Sequence, residues 1–399
     1  MPEMRIVSKN CGIIDPKDID SFLANDGFEA LKKVKDSMTP AELIEEIKNS
    51  GLRGRGGAGF PTGFKWELTS KAPGDEKYVI CNADEGEVGT FKDRYVLQND
   101  PFSLIEAIAL ASYAIGASKA YIYLRDEYHY LLDQLEGAID QAKERGLLTS
   151  DIEVREGAGA YVCGEETALI EAIEGKRGEV RYKPPFPPSE GLWHKPTVVD
   201  NVETLMNIPR IVFNGAEWFS QIGTERSNGT KMFSVCGDVE KPGVYELVMG
   251  SSLRELVEEL AQGKNIKMIQ VGGASGHIVP YEEIDTPLSF EDVLGAGGVI
   301  VYNNDRDIIE MAKMALEFFE EESCGKCVPC REGTKRMTEA LARLSRGEGS
   351  KYEIEDMENL AETMMLSSLC GLGQAAPNVV VDSLKYYRSE YEARIGSGN

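Results

Sequence analysis

Long apolar runs are missing from this chain. No uninterrupted stretch in its 399 residues approaches the roughly 20 that a membrane-crossing helix needs. No leader pattern opens it, so neither secretion nor a membrane span is expected and the chain reads as cytoplasmic. Positive charge is also scarce. Lys and Arg number 43 against 67 Asp and Glu, a formal net charge of -24, which repels nucleic acid and anionic membranes and argues against both as partners. Only three histidines occur, His129, His194 and His277, with no ligand spacing, and they read as structural. No Ser/His/Asp or Cys/His arrangement indicates a protein nucleophile. Eight cysteines in so long a chain are too few for a disulfide scaffold. What remains is a folded protein: 42% hydrophobic residues suffice for real cores in two to four domains.

Four regions follow from the patterning. Residues 1–50 read as polar and helical, with Thr39 as N-cap, Pro40 at the first helical position and a closing Gly51. Across 51–230, short apolar runs such as "YVICNAD" and "KAYIYL" alternate with helical segments such as "PFSLIEAIALASYAIG", which is α/β in character. Residues 231–310 contain a hairpin turning at Lys241-Pro242-Gly243, a helix "SLRELVEELA" and a strand "KMIQVGG", the outline of a small β-grasp module. Residues 311–399 carry four helical patterns, enough for a four-helix bundle.

Within this frame, "GLRGRGGAGFPTGFKW" (Gly51 to Trp66) combines glycines with Arg53, Arg55 and Lys65. Bare backbone and local cations suit a phosphate. Gly54, Gly56 and Gly59 match the G-x-G-x-x-G spacing, but a helix rather than a strand precedes them, so the ordinary dinucleotide turn fails its context and a plain surface loop stays open. "CNADEGEVGTFKDR" places Asn82, Asp84, Glu85 and Glu87 at the end of a strand, either as ligand contacts or as a solvated turn. In "GAGAYVCGEETALIEAIEGKRGEVRYKPPFPP", Glu165 and Glu166 stand at a helix start, where they also suit the helix dipole, and Lys183 and Phe186 lie in a proline-stiffened loop.

The cysteines divide into two sets. Cys324, Cys327 and Cys330 sit at two-residue gaps after the first bundle helix, and Cys370 follows the third. This spacing fits a [4Fe–4S] cluster better than paired zinc knuckles, although it is not the ferredoxin run, and zinc stays open. Cys11, Cys81, Cys163 and Cys236 are scattered and read as small buried apolar residues.

Together "GRGGAGFPTG", "CNADE", "GAGAYVCGEETALIE", "KPPFPP", "DNVETL" and "ESCGKCVPCREG" resemble the NADH-oxidising flavoprotein subunit of NADH:quinone oxidoreductase, with relatives in NAD-linked and electron-bifurcating hydrogenases and formate dehydrogenases. The resemblance covers roughly residues 40 to 390. It implies a Rossmann-like FMN and NADH domain, a β-grasp domain and a helical bundle holding one [4Fe–4S] cluster. It implies that Gly54, Arg55, Gly56, Gly57 and Lys65 cradle FMN, that Asn82, Asp84, Glu85, Asn201 and Thr204 bond it, and that Tyr161, Gly164, Glu165 and Glu166 line flavin and nicotinamide. Phe60, Glu87, Lys183 and Phe186 would receive NAD(H); Glu85, Glu165 and Glu166 are the carboxylates expected closest to catalysis; Cys324, Cys327, Cys330 and Cys370 would hold the cluster. Two positions depart from the family pattern: Asp200 replaces a frequent Asn, and Leu68 a second aromatic. The implied partners are a thioredoxin-like [2Fe–2S] subunit and a larger iron–sulfur subunit. The absence of an added ferredoxin domain favours the respiratory type over the longer hydrogenase type. A non-redox nucleotide-binding protein with structural zinc is the reading of a different class.

Overall fold

The computed structural model describes residues 3–396 as a mixed α/β protein. Three helices precede the glycine loop, Ile19–Leu23, Glu29–Ser37 and Pro40–Asn49. The last begins with a reciprocal cap in which Thr39 and Glu42 satisfy each other's backbone N–H groups. Beyond the loop, β1 (Tyr78–Ala83), β2 (Lys119–Leu124), β3 (Asp151–Glu156) and β4 (Thr197–Asn201) form an all-parallel sheet in the order β3-β2-β1-β4.

Alternate residues of a strand face opposite sides, and both sides of this sheet are covered. Val79, Cys81 and Ala83 join Ala120, Ile122 and Leu124 in one core, which takes in helices Pro101–Ile115 and Val202–Asn214. Tyr78, Ile80, Tyr121 and Tyr123 belong to a second core that continues through Val162 and Leu169 into the C-terminal helices. Burial on both faces explains why β1 and β2 read as apolar runs without alternation. Helix Pro101–Ile115 starts where Asp100 accepts from Ser103 N at 3.1 Å and stops at Gly116, whose φ of 77° only glycine adopts freely.

A second sheet is mixed: β5 (Thr230–Gly237), β6 (Gly243–Val248), β7 (Ile266–Val271), β8 (His277–Pro280) and β9 (Gly298–Asn303), in the order β6-β5-β9-β7-β8. The hairpin at Lys241-Pro242-Gly243 is present. The helix expected over "SLRELVEELA" is present over 253–260, π-type across Glu255–Leu260. Leu253 and Arg254, whose first-turn amides have no acceptor within the helix, donate to the carbonyls of Thr286 and Ile284. The C-terminal region is helical as patterned, with Ile308–Glu322, Val328–Ser345, Lys351–Ser367 and Asn378–Glu392 packed around Leu316, Phe319, Leu341, Met364 and Leu384. Among the described residues no helix is long and apolar enough to cross a membrane.

Candidate functional site

The glycine loop folds back on itself after helix Pro40–Asn49. Gly54 N donates to Phe60 O at 2.9 Å and Thr62 N to Leu52 O at 3.0 Å. Its apex lies against the carboxyl end of β4, where a Cβ on Gly56 would stand 3.0 Å from the Asn201 Cβ. Asn82 of β1 is the register partner of Asn201. Two asparagines thus end adjacent parallel strands beside bare loop backbone, at the edge where ligands of such sheets gather. Arg55 N fixes the loop by donating to Thr204 Oγ1 at 2.8 Å.

The structure places the loop's cations against the protein's own groups. Arg55 is fully buried, and its guanidinium donates to the carbonyls of Thr230, Arg53 and Asn228 at 3.1, 3.0 and 2.5 Å. Arg53 donates to Gly59 O at 2.7 Å and stacks 4.1 Å from the Phe290 ring centre. Lys65 donates to Val199 O at 2.7 Å and Asp200 Oδ1 at 2.9 Å, while Trp66 Nε1 donates to Asp200 Oδ2 at 2.8 Å. All three positive groups brace the protein's own backbone. Asp200, the departure from the family pattern, is the anchor for Lys65.

The carboxylates at the end of β1 play different parts. Asn82 Nδ2 donates to Gly164 O at 2.8 Å and ties this strand end to the "CGEE" turn. Asp84 Oδ2 is buried with no hydrogen-bond partner, and burial pushes its carboxyl up to about 7, against the pull of Arg125. Glu85 turns inward instead. It accepts from Asp93 N, Arg94 N and Tyr128 Oη at 2.9, 3.0 and 3.0 Å, capping helix Lys92–Asn99, and burial pushes it up to about 7. Glu87 links three regions, accepting from Tyr161 Oη at 2.8 Å and from Ser275 Oγ and N at 2.6 and 3.0 Å.

Glu165 is the N-cap of helix Glu166–Ile173, accepting from Thr167 N and Ala168 N at 2.9 and 3.0 Å. That is the helix-start role, yet its other oxygen takes Lys183 Nζ at 2.8 Å, and Glu166 takes the same ammonium at 2.7 Å. The structure therefore brings Glu165, Glu166 and Lys183 together. Phe60 and Phe186 are half exposed. Phe60 begins an exposed stripe with Phe64 and Leu68, spaced four residues apart, and its ring lies 6.0 Å from that of Phe64.

Sequence reasoning missed a buried charge network under the strand ends. Lys92 Nζ lies 2.7 Å from Asp93 Oδ1 and 2.8 Å from Glu203 Oε2; Lys231 Nζ lies 2.6 Å from the same Glu203 oxygen. Asn201 Nδ2 donates to Asp93 Oδ2 at 2.7 Å. Burial opposes charge on both lysines: it brings Lys231 down to about 7, whereas Asp93 and Glu203 outweigh it at Lys92 and hold that group above its ordinary value.

Cys324, Cys327, Cys330 and Cys370 line one pocket, together with Val162, Val180, Ser323, Lys326, Leu369 and Leu372. It holds about 290 Å³ free of protein atoms, part of it open to solvent. Burial pushes the Cys330 thiol up to about 11, the Ser323 hydroxyl opposes this, and the other three sulfurs raise it further. Among the described residues no three His, Cys, Asp or Glu side chains converge on one ion. Each iron of a cubane takes its own thiolate, so its sulfurs stand farther apart than those around one tetrahedral zinc, and this donor set fits the cluster. Cys11, Cys81 and Cys163 are buried, Cys236 is half-buried, and none joins the pocket. The histidines pair at the surface with Glu156, Glu190 and Asp382.

Comparison with known proteins agrees with this geometry. Residues 47–210 match the Nuo51 FMN-binding domain, and residues 310–394 the NADH-ubiquinone oxidoreductase-F iron-sulfur binding region. The chain is 46% identical to the NADP-reducing hydrogenase subunit HndC of Solidesulfovibrio fructosivorans, over 98% of this chain and 84% of that one. It is 44% identical to the F 2 subunit of the NADH-quinone oxidoreductase of Rhizobium meliloti, over 98% and 97%. A chain of an NAD+-reducing [NiFe]-hydrogenase, solved in the H2-reduced state, superposes with a TM-score of 0.86 at 42% identity, covering 90% of this chain and 63% of that one.

Proposed function

Because the chain belongs to the family of F subunits of NADH-quinone oxidoreductases and their counterparts in NAD-reducing hydrogenases, we propose that it takes hydride from NADH at the ends of β1 and β4 and passes single electrons out through the four-cysteine pocket. One observation carries this reading: residues 161–183 serve both places. Val162 and Val180 line the cysteine pocket, while Gly164 is bonded to Asn82 and Lys183 holds Glu165 and Glu166. Donor and acceptor sites share one short stretch of chain, as electron transfer over a small gap requires.

The cofactors are FMN, a [4Fe–4S] cluster and NAD(H). FMN, when bound, supplies the conversion between a two-electron hydride and one-electron transfers. The chain's residues do the positioning. The Gly54–Gly59 backbone packs so closely on Asn201 that a Cβ at Gly56 would stand 3.0 Å from the Asn201 Cβ, and this brings bare loop backbone to the strand ends where a flat nucleotide would lie. Asn82, Asp84, Asn201 and Thr204 border that space, and the partnerless Asp84 oxygen is a group awaiting a donor. Lys183, Glu165, Glu166, Phe60, Glu87 and Phe186 form the dinucleotide side, while Tyr161 tethers Glu87. Glu85 acts by holding helix Lys92–Asn99 in place, and Arg55 and Lys65 act by stiffening the loop and β4. Cys324, Cys327, Cys330 and Cys370 hold the cluster.

The finer architecture goes with this reading: an N-terminal helical segment (1–50), a Rossmann-like domain (51–230), supported by the parallel sheet, a β-grasp domain (231–310), supported by the mixed sheet with its helical turn, and the cluster-binding bundle (311–399). Electrons leave to partner iron–sulfur subunits, a thioredoxin-like [2Fe–2S] protein and a larger one, in the cytoplasm. The parent complex is an NADH:quinone oxidoreductase; the identity to HndC and the hydrogenase superposition favour a hydrogenase as the second reading. The test is spectroscopic. The purified chain should show flavin and broad iron–sulfur absorption that bleaches with NADH, and should reduce ferricyanide without inhibitor-sensitive quinone turnover. A colourless protein containing zinc overturns the proposal.

A further inference from the structure

The thiolate loop is held from outside by a brace that neither its cysteines nor the dinucleotide site requires. Lys326 stands between Cys324 and Cys327 and lines their pocket. Its ammonium donates to Val180 O at 2.7 Å and to Glu179 Oε1 at 3.1 Å, and lies 5.4 Å from the Tyr182 ring centre. Arg177 Nη2 reaches back to Cys324 O at 3.0 Å. Four residues of one segment, 177, 179, 180 and 182, thus grip two residues of the cysteine loop, and the next residue is Lys183, bound to Glu165 and Glu166. The far side of the loop is closed by Arg331 Nη1 on Gly325 O at 2.6 Å.

We infer that Lys326 is a positioning residue that pins the cluster loop to the 177–183 segment and, as a fixed cation at the pocket wall, favours the reduced cluster. A cluster gains negative charge when it accepts an electron, and its potential follows net charge and hydrogen bonding around it. A lysine adjacent in sequence to a ligand cysteine, three-quarters shielded from water, stabilises that added charge. Glu179 pulls the other way but is more exposed, so water screens it more. The brace also explains why the tight loop lies against Val180 rather than splaying into solvent: its lysine has three partners there.

The inference rests on the reading that the four cysteines hold a [4Fe–4S] cluster, and the experiment separates the two. Full-length chain carrying its cluster is titrated with dithionite under EPR, beside K326Q, K326R and E179Q, with iron and sulfide measured in each. Expected are a lower midpoint potential in K326Q, a near-native one in K326R and a higher one in E179Q. Unchanged potential and g-values in a fully loaded K326Q overturn the inference, as does K326R behaving like K326Q. If K326Q assembles no cluster, E179Q decides: an upward shift supports the charge effect, and no shift or a downward one refutes it. Absence of a [4Fe–4S] signal from the unmodified chain overturns the cluster reading itself, and the brace falls with it.

Discussion

Asp84→Asn separates what the strand-end site needs for binding from what the fold needs for stability. Asp84 Oδ2 is buried without a protein partner and its carboxyl is pushed from 3.8 up to about 7. A raised carboxyl contributes stability below its unfolded value and loses it as pH rises through the folded one, so at pH 8 the fold carries the whole penalty of ionising it. The span from 3.8 to about 7 sets a ceiling of about 4 kcal/mol. An asparagine removes the charge but brings an amide N–H with no acceptor, which costs about 1–3 kcal/mol. The expected net is a gain of about 1–3 kcal/mol at pH 8, a rise of a few degrees in Tm, shrinking and then reversing toward pH 4, where wild-type Asp84 is protonated in the fold. Scanning calorimetry of flavin-free wild type and variant at pH 8 and pH 4 measures this, and flavin content of the purified variant should fall. A variant less stable than wild type at pH 8 refutes the assignment of Asp84 as a strained, partnerless carboxylate.

Three further outcomes follow from particular contacts. Cys370→Ser should reduce cluster content and alter the EPR signal, while Cys11→Ala, buried outside the pocket, should leave the signal intact; an unaltered cluster in Cys370→Ser would exclude that ligand. Glu203→Ala strips Lys231 of its one ion-pair partner among the described residues and Lys92 of one of its two there, so chemical denaturation should show a loss of about 3–5 kcal/mol, and a loss below about 1 would mean that the network relaxes freely. NADH should exceed NADPH in kcat/KM by at least about tenfold, because Glu165 and Glu166 place two carboxylates around the single cation Lys183, leaving little for a 2′-phosphate. Steady-state kinetics with ferricyanide decides this, and equal values would place the chain with its NADP-reducing relative.

Much of the frame was legible because it follows from local rules. The Thr39 cap, the Pro101 start, the hairpin at Pro242 and the four C-terminal helices each depend on residues within a few positions of one another. The strands β3, β4, β8 and β9 were not separated out, since their pairing is with distant segments and β3 has two exposed, charged ends, Asp151 and Glu156. The four cysteines were legible by spacing alone. Side-chain direction was not: spacing cannot tell whether Glu85 faces a ligand or turns back to cap helix Lys92–Asn99, because both roles ask for a carboxylate beside free N–H groups.

The glycine loop shows the same limit and what lies behind it. A loop without side chains has high conformational entropy and would be a poor cradle unless something held it. Arg55, desolvated and bonded to three carbonyls, and Arg53, stacked on Phe290, supply that restraint from the protein side. The cations that suggested anion binding bond the protein's own carbonyls, and with Arg55 N on Thr204 they hold the loop backbone against the end of β4. Below them, Glu203 joins the helix that Asn201 caps to Lys92 and Lys231, so the floor of the site is itself an ion network rather than apolar packing. Such a floor is hard to repack: each charge removed leaves another unpaired in a dry interior, which resists motion beneath a site whose cofactor must sit at fixed distance from the cysteine pocket.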